Sequence, residues 1–234
     1  MPRILCRGLL IDMDGVLVDS TATIARVWAR WAARYNMDPV TVTALAHGRT
    51  SRASIQDLLP NESPEVRDEE NHWMLRAELE DIADVVALPG ARELLAAVPT
   101  AQRVVVTSAA RNLAEVRLRA AGVWDLVHHL VSSSDIQNGK PHPEPYLKGA
   151  AALQLPPADC VVIEDAPSGT RSGKSAGARV LAIRTTSIDA ELLAAGADWI
   201  ANDCGSLRCT VAPGSNQLTL EFPDNENPRL PKMS

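Results

Sequence analysis

The stretch Leu9-Leu10-Ile11-Asp12-Met13-Asp14-Gly15-Val16-Leu17-Val18-Asp19-Ser20 constrains this chain more than any other. A short apolar run reads as a buried strand, and it stops at two carboxylates followed by a glycine. Side chains at i and i+2 of an extended segment lie on one side, so Asp12 and Asp14 face one centre from the strand's carboxyl end. Two carboxylates that close do not both ionise unless a cation lies between them or one keeps its proton. A metal would leave Asp12 deprotonated and nucleophilic. Asp14, giving that metal only its backbone carbonyl, would keep a carboxyl able to carry a proton for a leaving group. A plain Asp-Gly turn after a strand is the alternative, and the rest of the chain has to decide.

Two more strand ends carry polar groups. Arg103-Val104-Val105-Val106 is a second buried strand ending in Thr107-Ser108, a tip where a hydroxyl and the following amides can hold an anionic oxygen. Cys160-Val161-Val162-Ile163 is a third, ending in Glu164-Asp165, which could also be read as a helix cap. Between them, Gly139-Lys140-Pro141 places a lysine in a turn ahead of a helix.

The segment Asp12 to Ser20 resembles the first signature of the haloacid dehalogenase superfamily, whose members are mostly phosphatases and phosphomutases. Thr107-Ser108, Lys140 and Glu164-Asp165 resemble its second, third and fourth signatures, in order. The stretch from Asp135 through Lys148-Gly149 closely resembles glycerol phosphate and 2-deoxyglucose phosphate phosphatases of the yeast type. The resemblance implies an α/β fold, with a Rossmann-like core, a mostly parallel sheet and an inserted α-helical cap. The core would take residues 1–19 and 88–222 and the cap 20–87, with 223–234 a disordered tail. It implies a Mg²⁺-dependent phosphatase of small sugar or polyol phosphates. Asp12 would attack phosphorus to form an aspartyl phosphate, Asp14 would serve as acid and then base, and Ser108 and Lys140 would hold the transferring oxygens. Asp12, the Asp14 carbonyl and Asp165 would bind the ion, with Glu164 at it or just behind it. Thr107, Ala109, Arg111 and Asn112 join the substrate-binding candidates; capping the helix expected over Leu113 to Ala121 is the other reading of Asn112.

The insert reads as helical. Ala22, Ala25, Trp28, Ala29 and Ala32 recur at helical spacing as one face, with Trp28 and Trp31 expected to pack. Pro60 to Glu70 reads as turn-rich. His47-Gly48-Arg49 precedes a helix expected over Arg52 to Leu59, a setting that suits an anion or a polyhydroxylated ligand, or else a solvated turn. Sugar and polyol phosphatases place a specificity loop here, so His47 and Arg49 are substrate candidates.

Elsewhere, His128 to Val131, Val180 to Ile183 and Trp199-Ile200 read as strands, with a helix around Ala190 to Ala195 and a hairpin over Cys209 to Phe222 turning at Pro213 to Asn216. A net charge of −6 argues against a nucleic-acid surface. With no long apolar run or leader, a cytoplasmic protein is expected, its small-molecule substrate being the only partner implied. The four cysteines lack a zinc or disulfide spacing and are expected as free thiols. Two rivals remain. A phosphomutase of the β-phosphoglucomutase kind typically carries a His early in the first cap helix, where this chain has Ile24. A silent sugar-phosphate-binding protein would be expected to lose a catalytic carboxylate, and none is missing.

Overall fold

The computed structural model describes residues 2–212 and 215–223. Its centre is a sheet of six parallel strands: β2 (Gly8–Ile11), β5 (Arg103–Val106), β6 (Leu130–Val131), β7 (Cys160–Glu164), β8 (Arg179–Ile183) and β9 (Trp199–Ala201), in the spatial order β6-β5-β2-β7-β8-β9. Every residue of β2, β5 and β7 is buried, as strands covered on both faces require. Alternation sorts the side chains. Leu9, Ile11, Val105, Val161 and Ile163 pack with Leu94 and Leu95 of α5 (Ala91–Ala97) and with Ala114 and Leu118 of α6 (Arg111–Ala120). Leu10, Val104, Val106 and Val162 pack on the opposite side with Tyr146 and Ala150 of α7 (Glu144–Ala152). The helices α8 (Pro167–Ser175) and α9 (Asp189–Ala194) connect β7, β8 and β9. The sheet runs outward in one direction from β2 to β6 and in the other from β7 to β9, so the strand order reverses between β2 and β7. Ligands of open α/β sheets bind beyond the strand ends at such a point.

Between β3 (Val18–Asp19) and β4 (Val86–Ala87) the chain makes four helices: α1 (Thr21–Arg34), α2 (Pro39–Ala46), α3 (Ser51–Leu58) and α4 (Pro64–Glu80). β3 and β4 pair antiparallel, so the chain enters and leaves this insert side by side. The insert has its own core of Val27, Trp28, Trp31, Val42, Ile55 and Met74. Its first helix is rolled from the expected face: Thr23, Val27, Trp28, Trp31 and Ala32 are buried, whereas Ala22 is exposed and Ala25 and Ala29 are half-buried. Two indoles bury far more apolar area than an alanine row, and they set the roll. Trp31 Nε1 donates to Glu70 Oε2 at 2.9 Å, satisfying its one polar atom. The turn-rich segment is also shorter than expected, because Ser63 Oγ accepts from Val66 N at 3.3 Å and Pro64 occupies the first helical turn.

The expected C-terminal hairpin is formed by β10 (Arg208–Val211) and β11 (Leu218–Glu221), and β11 also pairs antiparallel with β1 (Arg3–Cys6), a strand the sequence did not announce. Residues 213–214 of the expected turn and 224–234 of the expected tail lie outside the described residues. Only Leu130 and Val131 of the predicted His128–Val131 strand are extended; both histidines precede it, exposed. Among the described residues no helix is long and apolar enough to cross a membrane.

Candidate active site

The reversal point gathers the strand-end groups. Ile11 of β2 is level with Val105 of β5 and Ile163 of β7, and Asp12 N donates to Ile163 O at 3.0 Å, which sets Asp12 beside Glu164. The chain then turns sharply, with Leu17 N and Val18 N both donating to Met13 O. Gly15 stands in this turn at φ +81°, and a Cβ there would overlap the Asp165 carboxylate. Both its conformation and the approach of Asp165 therefore demand glycine.

Asp12, Glu164 and Asp165 bring carboxylate oxygens within 4.8 Å of one another, all buried. Lys140 Nζ is buried among them and donates to Asp12 Oδ1 at 2.5 Å, Glu164 Oε1 at 2.7 Å and Val106 O at 3.2 Å. Glu164 is saturated: Tyr146 OH donates to Oε1 at 2.7 Å, and the amides of Asp165 and Ala166 donate to Oε2 at 3.0 and 3.1 Å. It therefore belongs to the acidic cluster but serves mainly to orient Lys140, whereas Asp12 and Asp165 have oxygens to spare.

Three carboxylates and one ammonium leave two negative charges uncompensated. Burial pushes the Asp12 carboxyl up to about 8, against the pull of Lys140 and with the repulsion of Glu164 added. Burial, then Glu164 and Asp12, hold Asp165 well above the usual carboxylate range. Burial alone would lower Lys140, but Asp12 and Glu164 keep it above its ordinary value. A compact set of hard oxygen donors short of two positive charges fits a divalent cation of the Mg²⁺ type.

The insert closes over this cluster. Ser108 Oγ donates to Gly48 O at 3.2 Å, and Ser168 Oγ donates to His47 O at 3.4 Å. Thr186 Oγ1 donates to Asp165 Oδ2 and lies 2.9 Å from His47 Nε2, which is itself 3.7 Å from Asp165. His47 is thus held against the acidic cluster, and burial lowers its pKa. A cavity of about 270 Å³ remains between insert and core, bounded on the core side by Asp12, Asp14, Ser108 and Asp165 and on the insert side by Trp28, His47, Arg49 and Asn71. Thr107 and Ala109 line it as well, with Ala109 N donating to Thr107 Oγ1 at 3.1 Å.

Other predicted residues stand differently. Arg49 lines the cavity, but its fork is held by Asp57 Oδ2 at 2.7 Å. Arg111 and Asn112 do not line it. With Ala110 as N-cap, they fall on the exposed side of α6; Arg111 pairs with Asp135 at 2.8 Å, and Asn112 Oδ1 accepts from Leu113 N. Asp14 Oδ1 accepts from Ser20 Oγ at 2.6 Å and from Arg117 Nη1 at 3.1 Å. Arg117, Glu78, Tyr146 and Thr186 escaped the sequence reading. Arg117 was detectable, because it sits on the apolar stripe Leu113-Ala114-Leu118, and a charge on a buried face needs a partner.

Residues 6–177 match the family model of the haloacid dehalogenase-like hydrolases. The chain is 37% identical over 183 residues to hexitol phosphatase A of Escherichia coli strain K12, a match covering 76% of this chain and 83% of that protein. It is 32% identical over 214 residues to glycerol-1-phosphate phosphohydrolase 2 of Saccharomyces cerevisiae, covering 85% of this chain and 83% of that one. Among solved structures, β-phosphoglucomutase from Clostridium difficile superposes with a TM-score of 0.75 at 22% identity, covering 87% of this chain and 93% of its own, a likeness of fold.

Proposed function

The chain belongs to the haloacid dehalogenase-like hydrolases, and from that premise we propose that it is a Mg²⁺-dependent phosphatase of small sugar or polyol phosphate monoesters, with residues 20–87 as a cap over the core. The observation that carries this reading is the meeting of Asp12, Lys140 and Asp165 in one buried cluster, with Asp14 beside it on the wall of a cavity sized for a small molecule. Asp12 attacks phosphorus while the P–O bond to the alcohol breaks, and Asp14 gives the departing oxygen its proton. Asp14 then takes a proton from the water that attacks the aspartyl phosphate, releasing phosphate and restoring Asp12. Ser108, freed from Gly48 O, and Lys140 hold the transferring oxygens. Asp12, Asp165 and the Asp14 carbonyl would hold Mg²⁺, which when bound offsets the charge between nucleophile and phosphoryl group. Thr107, Ala109, His47 and Arg49 are assigned to substrate recognition; Arg111 and Asn112 leave that set. Free thiols at all four cysteines accord with work in a reducing cytoplasm.

Charge at the far end of the cavity favours a phosphatase over a mutase. Among the described residues each lining guanidinium already has a carboxylate: Arg49 with Asp57, Arg52 with Asp68, and Arg117 with Asp14 and Glu78. A mutase must grip a second phosphate there, which calls for a spare cation. Ile24 also lines the cavity on the helix where mutases of this kind carry a His. The relatives act, by their names, on hexitol and glycerol phosphates, and neutral hydroxyls of that kind can accept from a guanidinium such as Arg49 that already has a carboxylate. A panel of phosphomonoesters assayed for phosphate release, with Mg²⁺ and with EDTA, tests the proposal. Hexitol and glycerol phosphates should be hydrolysed only with Mg²⁺; no release from any monoester rejects it.

A further inference from the structure

Arg117 is among the largest fully buried side chains of the protein, and the chemistry above does not use it. It projects from α6 of the core to the edge of the cavity. Nη1 donates to Asp14 Oδ1 at 3.1 Å, and Nη2 donates to Glu78 Oε1 at 3.1 Å. Asp14 belongs to the turn after β2, whereas Glu78 lies in the last turn of α4, on the cap. One guanidinium therefore spans cap and core and ends on the residue assigned to proton transfer. Ser20 Oγ donates to the same oxygen of Asp14 at 2.6 Å. Both donors fall on Oδ1, which leaves Oδ2 to exchange a proton with the leaving group.

The planar fork of arginine suits this place, because two carboxylates on different elements can be held at a fixed separation only by a donor with several N–H groups in one plane. Glu78 is buried, and burial raises its pKa despite Arg117. Burial would lower Arg117, but Asp14 and Glu78 hold it charged. Both ions of the Arg117–Glu78 pair are largely buried, with side chains 2% and 11% exposed.

We propose that Arg117 is a positioning residue that couples the cap to Asp14: Glu78 on the cap anchors the guanidinium, and the guanidinium anchors Asp14 Oδ1 so that Oδ2 meets the leaving oxygen. The inference rests on the phosphatase reading and deepens it, by making the proton donor depend on a seated cap.

The test compares Arg117→Met, Arg117→Lys and Glu78→Gln with wild type in rapid-quench experiments with Mg²⁺. Glycerol phosphate needs a protonated leaving oxygen; p-nitrophenyl phosphate does not. In Arg117→Met the first-turnover burst of nitrophenolate should stay within about threefold of wild type, while glycerol release slows about a hundredfold, the scale of a positioned acid. Glu78→Gln should shift the same ratio in the same direction by less. Arg117→Lys should fall between, since an ammonium is a point donor that does not span both carboxylates. Parallel losses on the two esters, or unaltered glycerol release, overturn the proposal. Arg117→Met leaves the buried Glu78 carboxylate without its cation and facing half-buried Asp14, so if it fails to fold the same ratio is read from the other two variants. Wild type inactive on every monoester of the panel would take the phosphatase reading down along with this inference; if it is active on a hexitol phosphate and not on glycerol phosphate, the hexitol phosphate serves as the alkyl ester, and an active wild type with parallel losses removes the positioning role alone.

Discussion

Asp12 and Asp14 are separated by one residue, and the proposed function gives them opposite parts because their partners differ. Asp12 is held by a buried ammonium and has two more carboxylates beside it; Asp14 is held by a guanidinium and a hydroxyl at the cavity's edge. Asp12→Asn keeps the shape and removes the proposed nucleophile, so phosphate release should fall by at least about a thousandfold with an unchanged circular dichroism spectrum; knocking out a covalent nucleophile has effects of that order or larger. Activity at a tenth of wild type would exclude the covalent route. The charge imbalance has its own signature. Asp12 is pushed from 3.8 to about 8, so between those values the native metal-free protein keeps a proton that the unfolded chain has shed. The native state then binds more protons than the unfolded one, and stability falls as pH rises through that window. Under the proposed function Mg²⁺ would take the proton's place, so its stabilisation should grow between about pH 6 and pH 8. Thermal unfolding with and without Mg²⁺ across that range measures it; a gain that shrank with rising pH would contradict the assignment.

The loop between α2 and α3 presses a single glycine onto the core. Gly48 has φ +68°, and a Cβ there would lie 2.5 Å from Ser168 Oγ and 2.6 Å from Ala166 Cβ. Gly48→Ala combines left-handed strain of about 1–2 kcal/mol with that clash, so the loop must back away from Ser108. Since each 1.4 kcal/mol is tenfold, kcat/KM for polyol phosphates should drop about tenfold or more, mainly through KM, with Asp12 chemistry on p-nitrophenyl phosphate less affected. An equal fall in kcat for both esters would mean that the loop serves the phosphoryl group and not the seating of the cap.

In the small sheet β1-β11-β10, β1 lies at the start of the family match, which spans residues 6–177, and β10 and β11 lie beyond its end. Ile4, Leu218, Leu220 and Phe222 lie in the main hydrophobic core, each at most 1% exposed. Burying one such side chain is worth about 1.5–3 kcal/mol, and a domain's whole stability is about 5–15 kcal/mol. A chain truncated after Ser206 keeps every assigned catalytic residue, yet it should be recovered poorly in soluble form and unfold at a markedly lower temperature. Truncation without loss in either measurement would show that the sheet is an ornament.

By itself the sequence determined the α/β class, the ends of the central strands and the identity of the residues gathered there, because strand length, side-chain alternation and the i, i+2 geometry of Asp12 and Asp14 are local. Only the tertiary structure decided which way each helix rolls. The roll of α1 turned Ala22 outward, and that of α6 put Arg111 and Asn112 on its exposed side and Arg117 into the site. It alone joined β1 to β11 and spent the oxygens of Glu164 on Lys140, Tyr146 and two amides. Such pairings depend on which buried charges and apolar faces the folded chain brings together, from about twenty residues apart for Lys140 and Glu164 to about two hundred for β1 and β11, and that sum of contacts is not written in any local pattern.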